Sequence, residues 1–372
     1  MGNNATLNLD ARVNSLLKFN DIILIGGGQL TKMALKLWPS FIKKPLYILD
    51  SYKSGQIDNI KIKRMKNFSP QDNVIYLLCA FKLEIKEIQK IFRELNQETV
   101  LTIYDFFEKH GRGVFSNGWR CLNPTGKKRE MLRNLLKLFK DSKSKQNLIS
   151  NIDWRYKRIL NQNNEIVSET KKYDLRSFGR CNHTYDFVLD VGSYDLSFSK
   201  YLYEANVKTK NYVAFEPDAV NYRRCKHNIS KLKKLKPINI QILKKAVSDE
   251  EAPSFFHETG TLASRIINKK FKGFNKIKLI KPTTIDKYME KVLIHKPGKI
   301  LIKMHIEGSE LKALNGSLKT ISDRKPDLFL NLSHDEKSLL EIPKKLKVLG
   351  YDKLYLTCHA LFGEGLTLFA CA

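Results

Sequence analysis

The chain has 372 residues and a formal net charge of +28, from 66 Lys and Arg residues against 38 Asp and Glu residues. This length suits two domains better than one, and a hydrophobic content of 42% is enough to build buried cores. The six cysteines form no Cys-x-x-Cys pair, which excludes a disulfide framework or a cysteine zinc site and fits reduced thiols. No apolar run approaches the length of a membrane span, and residues 1–10 are polar, so we expect a soluble cytoplasmic protein.

The net positive charge has several possible explanations. A composition rich in Lys, Asn and Ile is typical of AT-rich bacterial genomes, while an anionic membrane surface, a glycan or a nucleic acid would also attract a basic protein. The lysines are spread along the chain without an Arg-rich arm or an aromatic RNA-binding pattern, so no nucleic-acid partner is predicted. Peripheral contact with an anionic membrane surface, such as the inner membrane, remains the alternative to a purely compositional origin.

The first hundred residues alternate apolar strands with helices. Strands are predicted over 20–25, 46–50, 74–78 and 100–104, and helices over 30–38 and 85–96. Gly26-Gly27-Gly28 follow the first strand and Asp50 ends the second, close to the dinucleotide-binding fingerprint, although Thr31 takes the position of its third glycine. We therefore predict a Rossmann-like domain over residues 1–110. It resembles the nucleotide-sugar-binding domains of bacterial sugar-modifying enzymes, which implies a nucleotide-sugar ligand; the alternative is a tight turn only.

Residues 111–180 are predicted to form a linker and a helical segment. The stretch 110–125 is rich in Gly, Asn and Pro and indicates a loop, while 127–165 is basic and helical with a break at 141–145. Helices in this position either cover the edge of the following sheet or cap a cofactor or acceptor site.

Two apolar runs in the second half carry the strongest functional signal. Phe187–Val191 leads into Gly192, and Tyr212–Phe215 leads into Glu216. Such runs are typical of buried parallel strands, and α/β sheets bind ligands at the C-terminal edge of those strands. A glycine there lets a cofactor approach the backbone, and an acid one strand later accepts hydrogen bonds from ribose hydroxyls. Without a Gly-x-Gly-x-x-Gly turn for a pyrophosphate, the pattern favours a nucleoside cofactor such as S-adenosylmethionine.

A third apolar strand, Lys299–Ile306, ends at the turn Glu307-Gly308. Over residues of about 130–372 the chain resembles the FkbM-type S-adenosylmethionine-dependent methyltransferases, whose motifs read Asp-x-Gly-Ala/Ser, Phe-Glu-Pro and Lys-x-Asp-x-Glu-Gly-x-Glu. The resemblance implies an α/β fold, with a Rossmann-like class I methyltransferase domain over residues 181–372. The smaller Rossmann-like domain and the helical linker would precede it.

Two positions depart from the family pattern. His305 stands where the third motif has Asp, and an imidazole there is suited to act as a base at neutral pH. Leu196 stands where the first motif usually has a small residue, which predicts tighter packing beside the methionine end of the cofactor or a tolerated change.

Methyl transfer to an alcohol needs a group that accepts the hydroxyl proton. Alternation along the third strand predicts Lys303, His305 and Glu307 on one polar face. His334 follows the strand predicted over 327–332 and matches a His that the family often carries. The catalytic candidates are therefore His305, Glu307, His334 and Lys303, with structural roles in the sheet or the turn as alternatives. The spacing of the two histidines and the glutamate is not that of a known zinc motif, so no metal site is predicted.

The resemblance also implies roles at an S-adenosylmethionine site. Asp190 would hold the turn or the methionine amine, Gly192 would allow close approach, and Glu216 would bind the ribose hydroxyls. Asp249 would lie near adenine, while the polar stretch 259–264 would line the pocket or form a plain surface loop. The predicted cofactor-binding residues are Asp190, Gly192, Ser193, Tyr194, Glu216, Pro217, Ser248, Asp249 and Ser264.

The motifs predict an S-adenosylmethionine-dependent O-methyltransferase. The resemblance and the N-terminal domain imply a sugar or sugar-linked acceptor, a glycan or a nucleotide sugar, in bacterial surface-glycan (capsule or lipopolysaccharide) biosynthesis. One alternative is a methyltransferase fold that has lost catalysis and only binds. Another is a nicotinamide-dependent sugar-modifying enzyme that uses the N-terminal glycines, although no Tyr-x-x-x-Lys hydride-site motif stands out after that half. The sequence predicts no oligomeric state.

Overall fold

The computed structural model describes residues 21–80, 100–110, 119, 126–157, 173, 184–235, 237, 239–267, 276–292, 298–360 and 365–371. These residues fall into two compact units. The first holds the described residues within 1–123, 151–167 and 360–363, and the second holds those within 124–150, 168–359 and 364–372. The division into residues 1–110, 111–180 and 181–372 stays a prediction.

The first unit is built on a mainly parallel sheet. Its strands are β1 (Asp21–Ile25), β2 (Tyr47–Asp50), β3 (Gly55–Ile57), β4 (Ile60–Arg64), β5 (Val74–Leu78) and β6 (Val100–Thr102), in the spatial order β3-β4-β2-β1-β5-β6. Helices α1 (Gln29–Lys36) and α2 (Ile103–His110) belong to the same unit, and a 3-10 turn spans Met65–Asn67. Within the sheet β3 pairs antiparallel with β4, and the other pairings are parallel. The apolar runs read as strands are buried because helices and neighbouring strands cover such sheets on both faces.

The predicted strand over 100–104 is wrong at its C-terminal end, because helix α2 begins at Ile103. The hydroxyl of Thr102 donates to the Asp105 carboxylate at 2.6 Å, and the Asp105 amide donates back to the Thr102 hydroxyl at 3.3 Å. This reciprocal pair resembles a capping box, which starts a helix even within an apolar run. The helix predicted over 85–96 lies outside the described residues.

The glycine turn after β1 is held by the protein itself. The Asp50 carboxylate accepts the amide of Gly27 at 2.6 Å, and Lys53 Nζ donates to the Gly27 carbonyl at 2.8 Å. Gly26 has φ +100, and a Cβ there would lie 2.8 Å from the Cβ of Ala80. These contacts account for Gly26 and for Asp50 without a ligand, and the nucleotide-sugar site stays a prediction.

Two helices precede the strands of the second sheet in the chain: α3 (Gly126–Lys137) and α4 (Ser142–Lys157). The break predicted over 141–145 is too long, because Asp141 Oδ1 accepts the amide of Ser144 at 2.7 Å and caps a helix that begins at Ser142. A short polar side chain at this position satisfies an amide that the first helical turn leaves unpaired.

The second unit contains a larger sheet that is parallel except for one strand. Its strands are β7 (Thr184–Val191), β8 (Lys208–Phe215), β9 (Asn239–Leu243), β13 (Ile300–Met304), β14 (Asp327–Asn331), β15 (Lys353–Cys358) and β16 (Leu366–Cys371). Their spatial order is β15-β16-β14-β13-β7-β8-β9, with β16 antiparallel to both neighbours. A separate antiparallel sheet consists of β10 (Ser254–His257), β11 (Arg265–Ile267) and β12 (Ile277–Ile280).

The helices of the second unit complete the α/β alternation. They are α5 (Phe198–Glu204), α6 (Ala219–His227), α7 (Ile285–Val292), α8 (Glu310–Asn315), α9 (Leu318–Arg324) and α10 (Glu336–Val348), with a 3-10 segment over Asn228–Leu235. The chain runs from β7 outward to β9 and then returns to the other side of β7 with β13. Open α/β sheets bind ligands at such a reversal, beyond the C-terminal ends of the strands. The predicted α/β class, with a Rossmann-like sheet in the methyltransferase-like part, is confirmed, and the Rossmann-like character of the first unit stays a prediction.

None of the helices in the described part of the chain is long and apolar enough to cross a membrane.

Candidate active site

A cleft with about 770 Å³ of empty volume, partly open to solvent, lies at the C-terminal ends of β7, β8 and β13. Most of the predicted site residues line it: Gly192, Ser193, Tyr194, Glu216, Pro217, Ser264, Lys303, His305 and Glu307. The predicted residues Asp190, Ser248, Asp249 and His334 are not among its lining residues. Lys245, Ala246 and Val247, which precede the predicted pair Ser248-Asp249, line the cleft instead of that pair.

Contacts within the protein keep the turn after β7 tight, whether or not a cofactor binds beside it. Gly192 has φ +80, and a Cβ there would lie 2.1 Å from the carbonyl oxygen of His305. The amides of Gly192 and Ser193 donate to the Phe215 carbonyl at 3.0 and 3.2 Å, which ties the turn to the end of β8. Only glycine fits this close approach with a positive φ, so any side chain at the position would displace the segment after β13.

Glu216 is the acid at the end of β8, and it is only 5% exposed. Its two carboxylate oxygens accept the amides of Tyr194 at 2.8 Å and Asp218 at 3.0 Å. Burial raises the pKa of Glu216 to about 7, although the two backbone hydrogen bonds act in the opposite direction. Each oxygen keeps a further lone pair, so the carboxylate can still accept hydrogen bonds from a ligand in the cleft.

Asp190 and Lys303 form a buried ion pair beneath the cleft. Lys303 Nζ lies 2.8 Å from Asp190 Oδ1 and donates to the Gly192 carbonyl at 2.6 Å. The other Asp190 oxygen accepts the hydroxyl of Tyr212 at 2.7 Å. Asp190 is fully buried and Lys303 is 4% exposed. This geometry makes Lys303 a positioning residue that ties β13 to the turn after β7.

Leu196, where the family motif usually has a small residue, is fully buried and has φ +64. It packs in the core with Tyr173, Phe198 and Leu202, and it does not line the cleft. The backbone of Leu196 is left-handed, a conformation that favours glycine over residues with a side chain. The predicted packing beside the methionine end of the cofactor is thus replaced by packing in the core.

The polar loop between β10 and β11 forms a wall of the cleft, where Thr261, Leu262 and Ser264 line it. Asp218 holds this loop, because its Oδ2 accepts the Gly260 amide at 2.8 Å and the Ser264 hydroxyl at 2.6 Å. The other oxygen of Asp218 caps helix α6. One buried carboxylate therefore fixes both the loop and the helix that follows β8.

Two histidines and a glutamate meet at the far wall of the cleft. The Nε2 atoms of His305 and His334 lie 3.4 and 3.2 Å from Oε1 of Glu307. The alternation argument is wrong here, because β13 ends at Met304. Glu307 has φ +56, and the turn, instead of a strand face, directs the carboxylate toward both rings. We call His305, Glu307 and His334 the His-Glu cluster.

Two residues that sequence reasoning missed hold this cluster. Glu310 accepts the amides of Ile306 at 2.8 Å and Gly308 at 3.0 Å, and its Oε1 lies 2.7 Å from His334 Nδ1. The hydroxyl of Tyr173 lies 2.8 Å from His305 Nδ1. Glu310 is the last residue of the Glu-Gly-x-Glu pattern, and that pattern could have identified it. Nothing in the sequence around Tyr173 signals its role.

The electrostatics of the cluster follow from its burial. Burial would lower the pKa of His334, but the negative charges of Glu307 and Glu310 outweigh it and raise the pKa to about 10. For Glu307, burial acts to raise the pKa, and electrostatic attraction to His334 and His305 holds it well below its usual value. Arg265 lines the cleft nearby, and burial lowers the pKa of its guanidinium.

Residues 190–353 match the family model described as the methyltransferase FkbM domain. A crystal structure of the methyltransferase FkbM from Methylobacillus flagellatus KT is similar in fold, with a TM-score of 0.65 and 16% sequence identity, over 99% of this chain and 99% of that chain. No curated protein shows significant sequence similarity to the chain. The family model confirms the resemblance that the sequence indicated, over residues 190–353, and the similarity to the crystal structure confirms the fold.

Proposed function

We propose that the protein is an S-adenosylmethionine-dependent O-methyltransferase whose acceptor is a hydroxyl of a sugar or a sugar-linked group. The observation that carries the proposal is the placement of Glu216, His305 and Glu307 around one cleft. A methyltransferase of this kind needs an acid that binds the ribose beside the turn after β7. It also needs a proton-accepting group beside the acceptor hydroxyl.

The cofactor would lie along the ends of β7 and β8. Its ribose hydroxyls would donate to Glu216, and the adenine would lie against Val247, Phe256 and Ile266, which line that side of the cleft. Transfer of a methyl group from a sulfonium is an in-line displacement, which needs alignment of the two reactants more than covalent help. The tight turn at Gly192 and the Asp190–Lys303 pair would supply that alignment.

The acceptor would lie beside the His-Glu cluster. Its hydroxyl loses a proton as the new C–O bond forms, and an imidazole is well matched to that task at neutral pH. His305 is the more accessible of the two rings, with 16% of its side chain exposed against 1% for His334. Glu307 would stabilise the positive charge that His305 gains, and Tyr173 would fix the orientation of the ring.

The sugar class of the acceptor, and a role in bacterial surface-glycan assembly in the cytoplasm, rest on the family resemblance and on the Rossmann-like first unit. Polar groups in the lining of the cleft, among them Thr261, Ser264 and Arg265, are compatible with an acceptor that carries several hydroxyls. A nucleotide sugar or a lipid-linked glycan are the acceptor forms to test first.

A titration by calorimetry tests the cofactor assignment. The full chain is titrated with S-adenosylhomocysteine, and separately with NAD and a panel of UDP-sugars. We expect binding of S-adenosylhomocysteine, and a loss of about 2–4 kcal/mol in Glu216→Ala, because a charged acceptor of two hydroxyls is removed. Glu251 is half-buried, pairs with Lys287 and does not line the cleft, so Glu251→Ala is a control that should bind like the wild type. Unchanged affinity in a folded Glu216→Ala variant would contradict the assignment.

A further inference from the structure

The geometry of the His-Glu cluster points to a divalent metal site. We propose that His305, Glu307 and His334 bind one divalent transition-metal ion through two imidazole Nε2 atoms and one carboxylate oxygen. The three ligand atoms lie within 4.8 Å of one another. Two histidines and one carboxylate are a ligand set that Zn²⁺ and other divalent transition metals accept, with positions left open for a substrate.

The ring of His334 supplies the first argument. A carboxylate can only accept, so the contact of His334 Nδ1 with Glu310 places a proton on Nδ1. A neutral ring then directs the bare lone pair of Nε2 toward Oε1 of Glu307, 3.2 Å away. Two acceptor atoms at this distance repel unless a positive charge lies between them. That charge is either a second proton on the ring or a cation.

The surroundings of His334 Nε2 favour a cation over a second ring proton. His334 Nε2 is buried and has no hydrogen-bond partner, although the carboxylate oxygen lies close by. A ring proton there would seek a well-directed hydrogen bond, whereas a metal ion needs only the lone pair. The side chain of His334 is 1% exposed, so the ring is held rigidly with its free nitrogen toward Glu307 and His305.

The distances fit a bound ion. Zinc–nitrogen and zinc–oxygen bonds of about 2.1 Å place two ligand atoms about 3.4 Å apart in a tetrahedron. In an octahedron, neighbouring ligand atoms at the same bond length lie about 3.0 Å apart. The observed separations from Glu307 Oε1, 3.4 Å to His305 and 3.2 Å to His334, lie in this range.

Both histidines have the supporting contacts that metal-bound histidines need. Ring nitrogens opposite the metal usually donate to a carboxylate or another acceptor, which fixes the tautomer and orients the ring. Glu310 serves His334 in this way, and the hydroxyl of Tyr173 can accept from His305 Nδ1. The family has Asp at position 305, and here a histidine with its own supporting hydroxyl takes that place.

The open positions of the ion would face the cleft, because His305 and Glu307 line it. With a cation bound, Nε2 of His305 would be a ligand and no longer the base. The cation would lower the pKa of the acceptor hydroxyl, whose proton would then leave to solvent. This role rests on the proposed function, whereas the metal site itself does not.

The test uses the full chain after treatment with a chelator and its removal. Co²⁺ is titrated while its visible absorption bands are recorded, and Zn²⁺ is then added in competition. We expect one Co²⁺ per chain, and an affinity at least about tenfold weaker in Glu307→Gln and in His305→Ala. Tyr173→Phe removes only the supporting hydroxyl and should weaken binding less. His227 is exposed on helix α6, and His227→Ala is the matched control that should bind like the wild type.

Two readouts keep the proposal separate from folding and from methyl transfer. Zn²⁺ should raise the melting temperature of the wild type and of His227→Ala, and this shift should vanish in Glu307→Gln. S-adenosylhomocysteine binding reports the cofactor site in the same samples. If S-adenosylhomocysteine binds and Co²⁺ gives no bands, the metal site is refuted while the proposed function stands. If Co²⁺ binds and S-adenosylhomocysteine does not, the metal site stands and the cofactor assignment fails. Equal Co²⁺ affinity in the wild type and Glu307→Gln also refutes the site.

Discussion

Replacing Lys303 with methionine should act on stability before it acts on chemistry. The ammonium is paired at 2.8 Å with Asp190, which has no exposed surface, and it also donates to the Gly192 carbonyl. Lys303→Met would leave a buried carboxylate with the Tyr212 hydroxyl as its remaining side-chain partner. Removing one partner of a buried ion pair costs about 3–5 kcal/mol, since the remaining charge stays out of water.

The assay is scanning calorimetry of the full chain, which can separate the transitions of two units. For a unit of roughly 200 residues, a loss of about 3–5 kcal/mol corresponds to a melting temperature lower by about 6–20 °C. The double variant Asp190→Asn/Lys303→Met removes both charges and should recover most of this loss, because a neutral pair needs no compensation. A Lys303→Met variant with the wild-type melting temperature and no turnover would refute this reasoning and make Lys303 a catalytic residue.

Three further predictions concern Glu216, His305 and Leu196. Because burial raises the pKa of Glu216 to about 7, the carboxylate is protonated below that pH and becomes a weaker acceptor. S-adenosylhomocysteine affinity measured from pH 5.5 to 8 should therefore rise by up to about tenfold per pH unit below 7 and then level off, whereas a flat profile in the wild type would contradict the ribose role. His305→Ala should lower turnover by about 10²–10⁴-fold with cofactor affinity near wild type, and His305→Asp should recover part of it, since a carboxylate accepts a proton or binds a cation; normal turnover in His305→Ala would move the role to another group. Leu196→Gly relieves a left-handed leucine, worth about 1–2 kcal/mol, but removes a buried side chain worth about 2–5 kcal/mol, so urea titration should show a net loss of up to about 4 kcal/mol; a net gain would mean that strain outweighs packing.

Part of this protein can be derived from its sequence alone. Strands β1, β5, β7, β8 and β14 each contain an apolar run, and such runs are typical of strands buried in parallel sheets. The turn at Gly192 and the acid at Glu216 were identifiable because a cofactor site at the edge of an α/β sheet requires residues of these types at this spacing. The resemblance to the FkbM methyltransferases follows from the same short motifs.

The starts of two helices were harder to predict, because a single side-chain hydrogen bond decides where each helix begins. The reciprocal bonds of Thr102 and Asp105 start a helix inside an apolar run that otherwise indicates a strand. Asp141 likewise starts helix α4 within a polar stretch that indicates a break. In both cases a single cap outweighs the average propensity of the surrounding residues.

Only the tertiary structure decided what the polar residues of the site do. Lys303 pairs with Asp190 across 113 positions of sequence, because parallel strands β7 and β13 lie side by side. His334 meets Glu307 because β14 is the next strand in the sheet, and Glu310 reaches both ends of the same turn. Side-chain alternation could not show this, since the strand ends before the cluster and a left-handed turn sets the direction of Glu307. Spacing along the chain cannot predict such contacts. The order of the strands in the sheet brings the residues together, and no local pattern encodes that order.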